Sequence, residues 1–367
     1  MSSVSYEIPS ETQQRLEALV DRIEANQGRL VEPAELEELQ SKLNMRPAME
    51  TLPPGLSEED FIEILKLAML TECATDSYAN VIEEQAATYA SPWLERFSHD
   101  IWAPDERSHH TPYRYMFLNL GFSDAELDRE IRETRERQYI HGSGDTPVHI
   151  TTFGMIQEYL TDNWHGLIAG LMKNSAPEAA YIANRIKQRE TLHTVWYRDM
   201  TALQVEANPG LIGHVGEALV RFKMPGQVLL PDLQNKVPGW LPGMGADFDH
   251  MTKDLVRLIH ESLGGSVRRS GELLLAVAAE KGMRLGPVDP GHLRTALNRL
   301  GGPGYGLVGE ALLLKMGLNS FFEDPVQGAS GPAAPIHRRV EQLRGVLRGW
   351  VADRLEIEVG YESYAEA

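Results

Sequence analysis

The sequence is poor in the residues that staple or anchor a chain. It has one cysteine, Cys73, in 367 residues. That excludes an internal disulfide and any zinc or iron–sulfur site built from cysteines, so a metal here would have to be held by histidine and carboxylate. No apolar run approaches the roughly 18 residues that a membrane-crossing helix requires, which argues against a membrane protein. The N-terminus, MSSVSYEIPSETQQRLEALV, has no basic stretch leading into an apolar one, so neither a secretory signal nor an Arg-rich transit peptide is read and a cytoplasmic location is expected. Positive charge is also short, with 35 Lys and Arg against 53 Asp and Glu and a net charge of −18. A field of that sign repels nucleic acid and anionic membrane, and neither is expected as a partner.

Alternating β-branched runs are nearly absent as well, while apolar residues recur at helical spacing from about Ser57 to Gly264. The expected fold class is therefore all-α. Ser57, followed by Glu58, Glu59 and Asp60, reads as the capped start of a long helix running past Leu70 to about Glu84. A second is expected from Ser91-Pro92 to Asn119, kinked at Pro104, and a third from Asp124 to about Tyr139. After the loop HGSGDTP one helix should reach about Lys173, and another should span Ala176 to Glu206.

Prolines and glycines accumulate between Met224 and Gly245, and helical pattern resumes from about Asp249 to Lys281. Five segments result: an N-terminal helical extension (1–55), a helical bundle (56–264), additional helices (265–323), a linker or mobile loop (324–335), and a basic C-terminal helix and tail (336–367).

Two Glu-x-x-His pairs stand out, Glu106/His109 and Glu190/His193, each presenting a carboxylate and an imidazole on one face of a different long helix. Composition alone gives about two acid-x-x-His matches, and the chain has five, so spacing by itself is weak. Glu72 and Glu158 strengthen the set, because each sits on a largely apolar helix face, where a buried carboxylate needs a cation or a proton. Four glutamates and two histidines from four helices form the donor set of a di-iron carboxylate centre, with oxygen and nitrogen ligands suited to iron or manganese.

These residues fall in ordered pieces: LTE-x5-Y (Leu70 to Tyr78), W-x3-E-x2-H (Trp102 to His109), QE-x2-T-x3-HG (Gln157 to Gly166), E-x2-H (Glu190 to His193) and MPG (Met224 to Gly226). Together they resemble the soluble acyl-carrier-protein desaturases of the ferritin-like group, over roughly Leu67 to Pro231. The resemblance implies a ferritin-like bundle binding two ferrous ions. Glu72 and Glu158 would be terminal ligands, Glu106 and Glu190 bridging ligands, and His109 and His193 the nitrogen ligands. Thr161 would lie beside the oxygen-binding face with a role in proton delivery or oxygen activation, and Trp102 and His165 would support the ligands from outside.

The activity implied is dioxygen-dependent desaturation of an acyl chain carried as an acyl-carrier-protein thioester, with a ferredoxin-type donor and a homodimeric assembly. Two alternatives stand beside it: a di-iron hydroxylase or oxidase of a carrier-bound specialised substrate such as an aminoacyl group, and a non-catalytic ferritin-like metal-binding protein. Arg189 stands where plant members carry an Asp directly before the second Glu-x-x-His, at the position of their electron-entry route. An acidic carrier needs local positive surface, and two basic stretches are candidates: Arg185, Lys187 and Arg189, and Arg338, Arg339, Arg344 and Arg348. For Asp162, supporting or surface duty is expected rather than ligation.

Overall fold

The computed structural model describes residues 5–280 apart from 29, 32, 138, 140, 141 and 143. The later part of the 265–323 segment, the 324–335 linker and the basic last helix with its arginines lie outside the described residues. Among the described residues all regular structure is helical and no strand occurs, in line with the all-α expectation.

Three helices, α1 (Ser10–Asn26), α2 (Pro33–Gln40) and α3 (Arg46–Met49), precede the bundle. Helix α1 buries Leu16, Leu19, Val20 and Ile23, and Tyr6 just before it donates to Gln204 Oε1 at 2.9 Å. Fully burying one such leucine is worth about 2 kcal/mol, which makes this face adhere to the helices behind it.

Helix α4 (Glu58–Glu72) starts as its sequence dictates. The Ser57 hydroxyl accepts from the Asp60 N–H at 3.1 Å, and Asp60 Oδ2 accepts from the Ser57 N–H at 2.9 Å, a reciprocal cap. It does not run on to Glu84. It stops at Cys73, and α5 (Thr75–Thr88) begins separately. The Thr75 hydroxyl donates to the Glu72 carbonyl at 2.8 Å, and Arg135 Nε donates to the Cys73 carbonyl at 2.9 Å, so the acceptors freed by the break are satisfied from outside the helix.

The helix expected from Ser91 to Asn119 is continuous in direction but not in winding. It comprises α6 (Pro92–Arg96), a π turn (Phe97–Trp102) and α7 (Ala103–Leu120). Pro104 offers no N–H, and its ring crowds the carbonyl four residues back; the widened turn just before it accommodates both. Gly121 ends α7 with φ +100°, a left-handed cap that β-carbon-bearing residues adopt only under strain.

Helix α8 (Asp124–Glu136) is three residues shorter than expected, which leaves Tyr139 outside it. Helices α9 (Pro147–Met172) and α10 (Pro177–Ala207) match their expected spans closely and form the longest pairing of the molecule. They approach so closely that a β-carbon on Gly154 would lie 2.7 Å from the Tyr197 ring. Helix α4 packs along α7, and this pair packs against α9 and α10, so that four helices surround one interior.

Beyond them the chain forms α11 (Ile212–Arg221), the short α12 (Pro225–Leu229), α13 (Pro231–Gln234) and α14 (Val237–Trp240), then α15 (Phe248–Ser262) and α16 (Val267–Glu280). The helical pattern expected from Asp249 to Lys281 is divided between these last two helices by Gly264 and Gly265, both at positive φ. No described helix is long and apolar enough to cross a membrane.

Candidate metal centre

The interior between α4, α7, α9 and α10 is where all six candidate ligands meet. Each of these helices carries a strip of apolar residues toward its neighbours, and the acidic and imidazole side chains are the exceptions on those strips. Glu72, Glu106, His109, Glu158, Glu190 and His193 are all buried, the histidines completely. Two groups form, Glu72/Glu106/His109/Glu190 and Glu106/Glu158/Glu190/His193, each with one donor atom per residue within 4.8 Å of the others. Glu106 and Glu190 belong to both.

The arrangement is nearly twofold. His109 Nδ1 is 2.8 Å from Glu190 Oε1 and 3.6 Å from Glu106 Oε2, while His193 Nδ1 is 2.6 Å from Glu106 Oε1 and 3.7 Å from Glu190 Oε2. Each histidine thus faces the glutamate of the other helix more closely than its own. The outer carboxylates, Glu72 Oε2 and Glu158 Oε2, lie 3.7 Å from His109 Nδ1 and His193 Nδ1 respectively.

Close as they are, the contacts of Nδ1 in both histidines and of Oε1 in Glu106 and Glu190 lack the geometry of hydrogen bonds, and these four buried atoms have no hydrogen-bonded partner. Buried nitrogen and oxygen atoms that converge without hydrogen-bonded partners fit a cation, and the donors are of the type that iron and manganese take.

Packing around the ligands holds them in place. Trp102, the last residue of the π turn, donates from Nε1 to Glu158 Oε1 at 3.1 Å. His165 Nε2 is 3.1 Å from Glu72 Oε1. Asp105 Oδ2 accepts from His193 Nε2 at 2.9 Å and from Arg189 Nε at 2.7 Å, and Arg189 also donates to the Gln27 carbonyl and lies over the Trp196 ring. Thr161 Oγ1 lies 3.3 Å from Glu190 Oε2 and 3.1 Å from the carbonyls of Gln157 and Glu158.

Electrostatics follow from four carboxylates sharing a dry space. Burial, with the Glu190 charge behind it, pushes Glu106 up to about 8, and burial with the charges of Glu106 and Glu190 raises Glu158 well above the usual carboxylate range. Burial also works against Glu190, but the Glu158 carboxyl beside it and the charge of His109 overcome it and hold Glu190 well below that range. His109 and His193 are raised well above the ordinary imidazole value, the surrounding carboxylates outweighing the cost of burial.

In the metal-free protein the cluster therefore holds protons at neutral pH that a divalent cation must displace. Ferrous iron uptake is expected to release protons, and its apparent affinity to rise as pH is raised toward and through about 8. Titration calorimetry in buffers of different ionisation enthalpy checks this, and an affinity independent of pH would contradict it.

The remaining sequence expectations fall out as follows. Asp162 is not in either group; it pairs with Lys187 at 2.9 Å and accepts from Thr191 at 3.1 Å. Of the basic stretch on α10, Arg185 donates to the Leu30 carbonyl at 3.0 Å and Arg189 is buried on Asp105, so little of it is free positive surface. Two participants were not singled out from sequence. Asp105 is four residues before His109 yet bonds to His193, 88 residues away. Tyr113, one turn after His109, is fully buried and bonded to His165 Nδ1 at 2.6 Å. Its spacing from His109 was the available signal; for Asp105, adjacency to Glu106 was the only one.

A narrow pocket reaches the cluster at Glu72, Glu106, Glu158 and Glu190. Its walls include Thr71, Thr75, Tyr78, Gln157, Pro225 and Leu229. Tyr139, freed by the early end of α8, also faces it and donates to the Lys223 carbonyl at 3.2 Å, while Arg137 donates to that of Leu229 at 2.6 Å, so the segment bearing Met224 to Gly226 is tied down beside the pocket.

A family model described as fatty acid desaturase matches residues 18–253, a span containing every residue of both ligand groups. No curated protein matches the chain.

Proposed function

Because the chain belongs to the fatty acid desaturase family, we propose that it is a dioxygen-dependent desaturase of an acyl chain held as an acyl-carrier-protein thioester, working through a non-haem di-iron centre. The observation that carries this reading is the pair of buried ligand groups sharing Glu106 and Glu190 at the inner end of a pocket. Glu72, Glu106, His109 and Glu190 would hold one iron, and Glu106, Glu158, Glu190 and His193 the other. Bound there, the two irons supply the oxidising power, drawn from dioxygen, that removes two hydrogens from adjacent acyl carbons.

The protein's own contribution is positional. Trp102 fixes Glu158 and His165 fixes Glu72, while Asp105 fixes His193 by accepting from Nε2, leaving Nδ1 directed at the carboxylates. The surrounding aromatic walls exclude water, with Tyr78 and Tyr197 packed edge-on to Trp102. Thr161 Oγ1, beside Glu190 Oε2, is placed to hold and pass a proton at the pocket face of the cluster. A ferredoxin-type donor would supply electrons, and the homodimer and the acidic carrier belong to the same reading.

Thr161→Val keeps the shape of the side chain and removes its hydroxyl. Iron content should stay unchanged while the yield of oxidised product per reductant consumed falls severalfold. An unchanged yield would return Thr161 to helix packing.

The polar walls contributed by Thr71, Thr75 and Gln157 favour a second reading, oxidation of a carrier-bound specialised substrate with a polar acyl group. Mass spectrometry of a panel of carrier-bound acyl groups, incubated with iron-loaded protein, ferredoxin, reductant and dioxygen, separates the readings. Loss of two hydrogens supports desaturation, and gain of an oxygen atom supports hydroxylation. An iron-loaded protein that turns over no carrier-bound group overturns both and leaves a metal-binding bundle. Free acids oxidised as well as thioesters would overturn the carrier.

A further inference from the structure

The cluster is connected to a group that positioning of ligands does not require. From Glu72 Oε1 a hydrogen bond of 3.1 Å leads to His165 Nε2, and from His165 Nδ1 one of 2.6 Å leads to the Tyr113 phenol. Tyr113 and His165 are fully buried, their rings stacked with centroids 5.7 Å apart. With the phenol as donor, one arrangement of His165 satisfies both bonds. Nε2–H donates to the carboxylate of Glu72, and Nδ1 accepts the phenolic hydrogen. The phenol has no other hydrogen-bond partner among the described residues.

The geometry points to Tyr113 as a redox-active side chain that gives one electron to the oxidised metal centre when no acyl substrate is in the pocket. The inference rests on the di-iron reading above. Removing an electron from a buried phenol without its proton leaves a cation in a low-dielectric interior, which is costly; removal of both together leaves a neutral phenoxyl. Tyr113 has a base in place for that proton. Among the described residues Tyr197, equally buried, has no partner for its hydroxyl, and the Tyr139 hydroxyl meets a backbone carbonyl. Burial, then the charges of Glu72 and Glu190, holds the Tyr113 hydroxyl far above its ordinary value, so it stays a phenol until it is oxidised.

The step balances as follows. Dioxygen taken to two waters requires four electrons: two come from the two ferrous ions, one from Tyr113, and one from an added one-electron reductant, ascorbate. The phenolic proton crosses to His165 Nδ1, where the positive charge lies next to the Glu72 carboxylate, and the four protons of the two waters come from solvent. The buried tyrosine thereby ends an oxidation that would otherwise fall on the ligands themselves.

The test uses the full chain loaded anaerobically with ferrous iron, its metal content measured, then mixed with dioxygen and ascorbate without acyl substrate and frozen for electron paramagnetic resonance. A tyrosyl signal is expected that narrows when the protein carries ring-deuterated tyrosine, is lost in Tyr113→Phe and persists in Tyr197→Phe. In wild type exchanged into deuterated water, electron–nuclear double resonance should show one exchangeable deuteron on the phenoxyl oxygen, from the bond to His165. Iron-loaded protein that consumes dioxygen without a tyrosyl signal, a signal that survives Tyr113→Phe, or one lacking the exchangeable deuteron overturns the inference while leaving the di-iron reading intact. Failure to bind about two irons per chain overturns both.

Discussion

Replacing Glu190 with alanine is expected to empty both halves of the centre, taking bound iron from about two per chain to near none. Glu190 belongs to both ligand groups, and its Oε1 is the atom nearest His109 Nδ1 at 2.8 Å. Glu106→Ala should do the same, since Glu106 also belongs to both and its Oε1 lies 2.6 Å from His193 Nδ1. Glu72→Ala and Glu158→Ala each remove a member of one group only and should leave about one iron per chain. Glu190→Gln guards against misfolding as an explanation, because the amide keeps the size and hydrogen-bonding capacity while removing the anionic donor. Metal analysis of these five proteins after anaerobic loading decides the matter. Two irons retained by either Glu190 variant would refute the shared-ligand arrangement.

Arg189→Met should cost about 2 kcal/mol of folding stability, because it takes from a buried carboxylate one of the two donors that hold it. Arg189 and Asp105 are both largely hidden from solvent and lie 2.7 Å apart. Burial works against the ionised Asp105, and the hydrogen bond and charge of His193, the charge of His109 and that of Arg189 together bring it down to about 2. Since this is below the ordinary aspartate value, the folded protein binds fewer protons than the unfolded chain in the window between them, and the stabilisation is present above it and lost as pH falls through about 2. The gap between wild type and variant is therefore full at neutral pH and narrows only below about pH 4. Adding Asp105→Asn should recover part of the loss. Urea unfolding at several pH values measures this, and a difference below about 1 kcal/mol at neutral pH would show that the pair is not what holds Asp105.

The four helices that carry the ligands were legible because each holds a long apolar strip, and a buried Glu or His on such a strip departs visibly from its surroundings. Helices α9 and α10 fall within a residue or so of their expected ends for that reason. What sequence reasoning missed depends on distant partners. The break after Glu72 is supported by Arg135, which approaches from 62 residues away. Asp105 looked like one more acidic residue in a chain with 53, and its bond to His193 exists only because α7 and α10 cross there. Pro104 marked the correct place, but proline content alone does not distinguish a sharp kink from the π turn that forms. Arg189 read as part of a basic stretch offering positive surface, and its burial follows from Gln27 and Asp105 converging on one guanidinium.

The early end of α4 also makes the cluster mechanically unequal. Five of the six ligands stand within helices, with regular backbone on both sides, whereas Glu72 is the last residue of its helix and is followed by a turn. A ligand built into a helix moves only if the helix moves, while one at a helix end can swing by rotations within a single turn. Glu72 is thus the compliant member of a stiff frame, and a change of its coordination would leave the helix packing undisturbed. On the proposed reading, the half of the centre containing His109 would have the more adaptable ligand, its carboxylate held by His165 but its backbone by a turn, while the half containing His193 would be braced by Trp102 and Asp105 on regular helix.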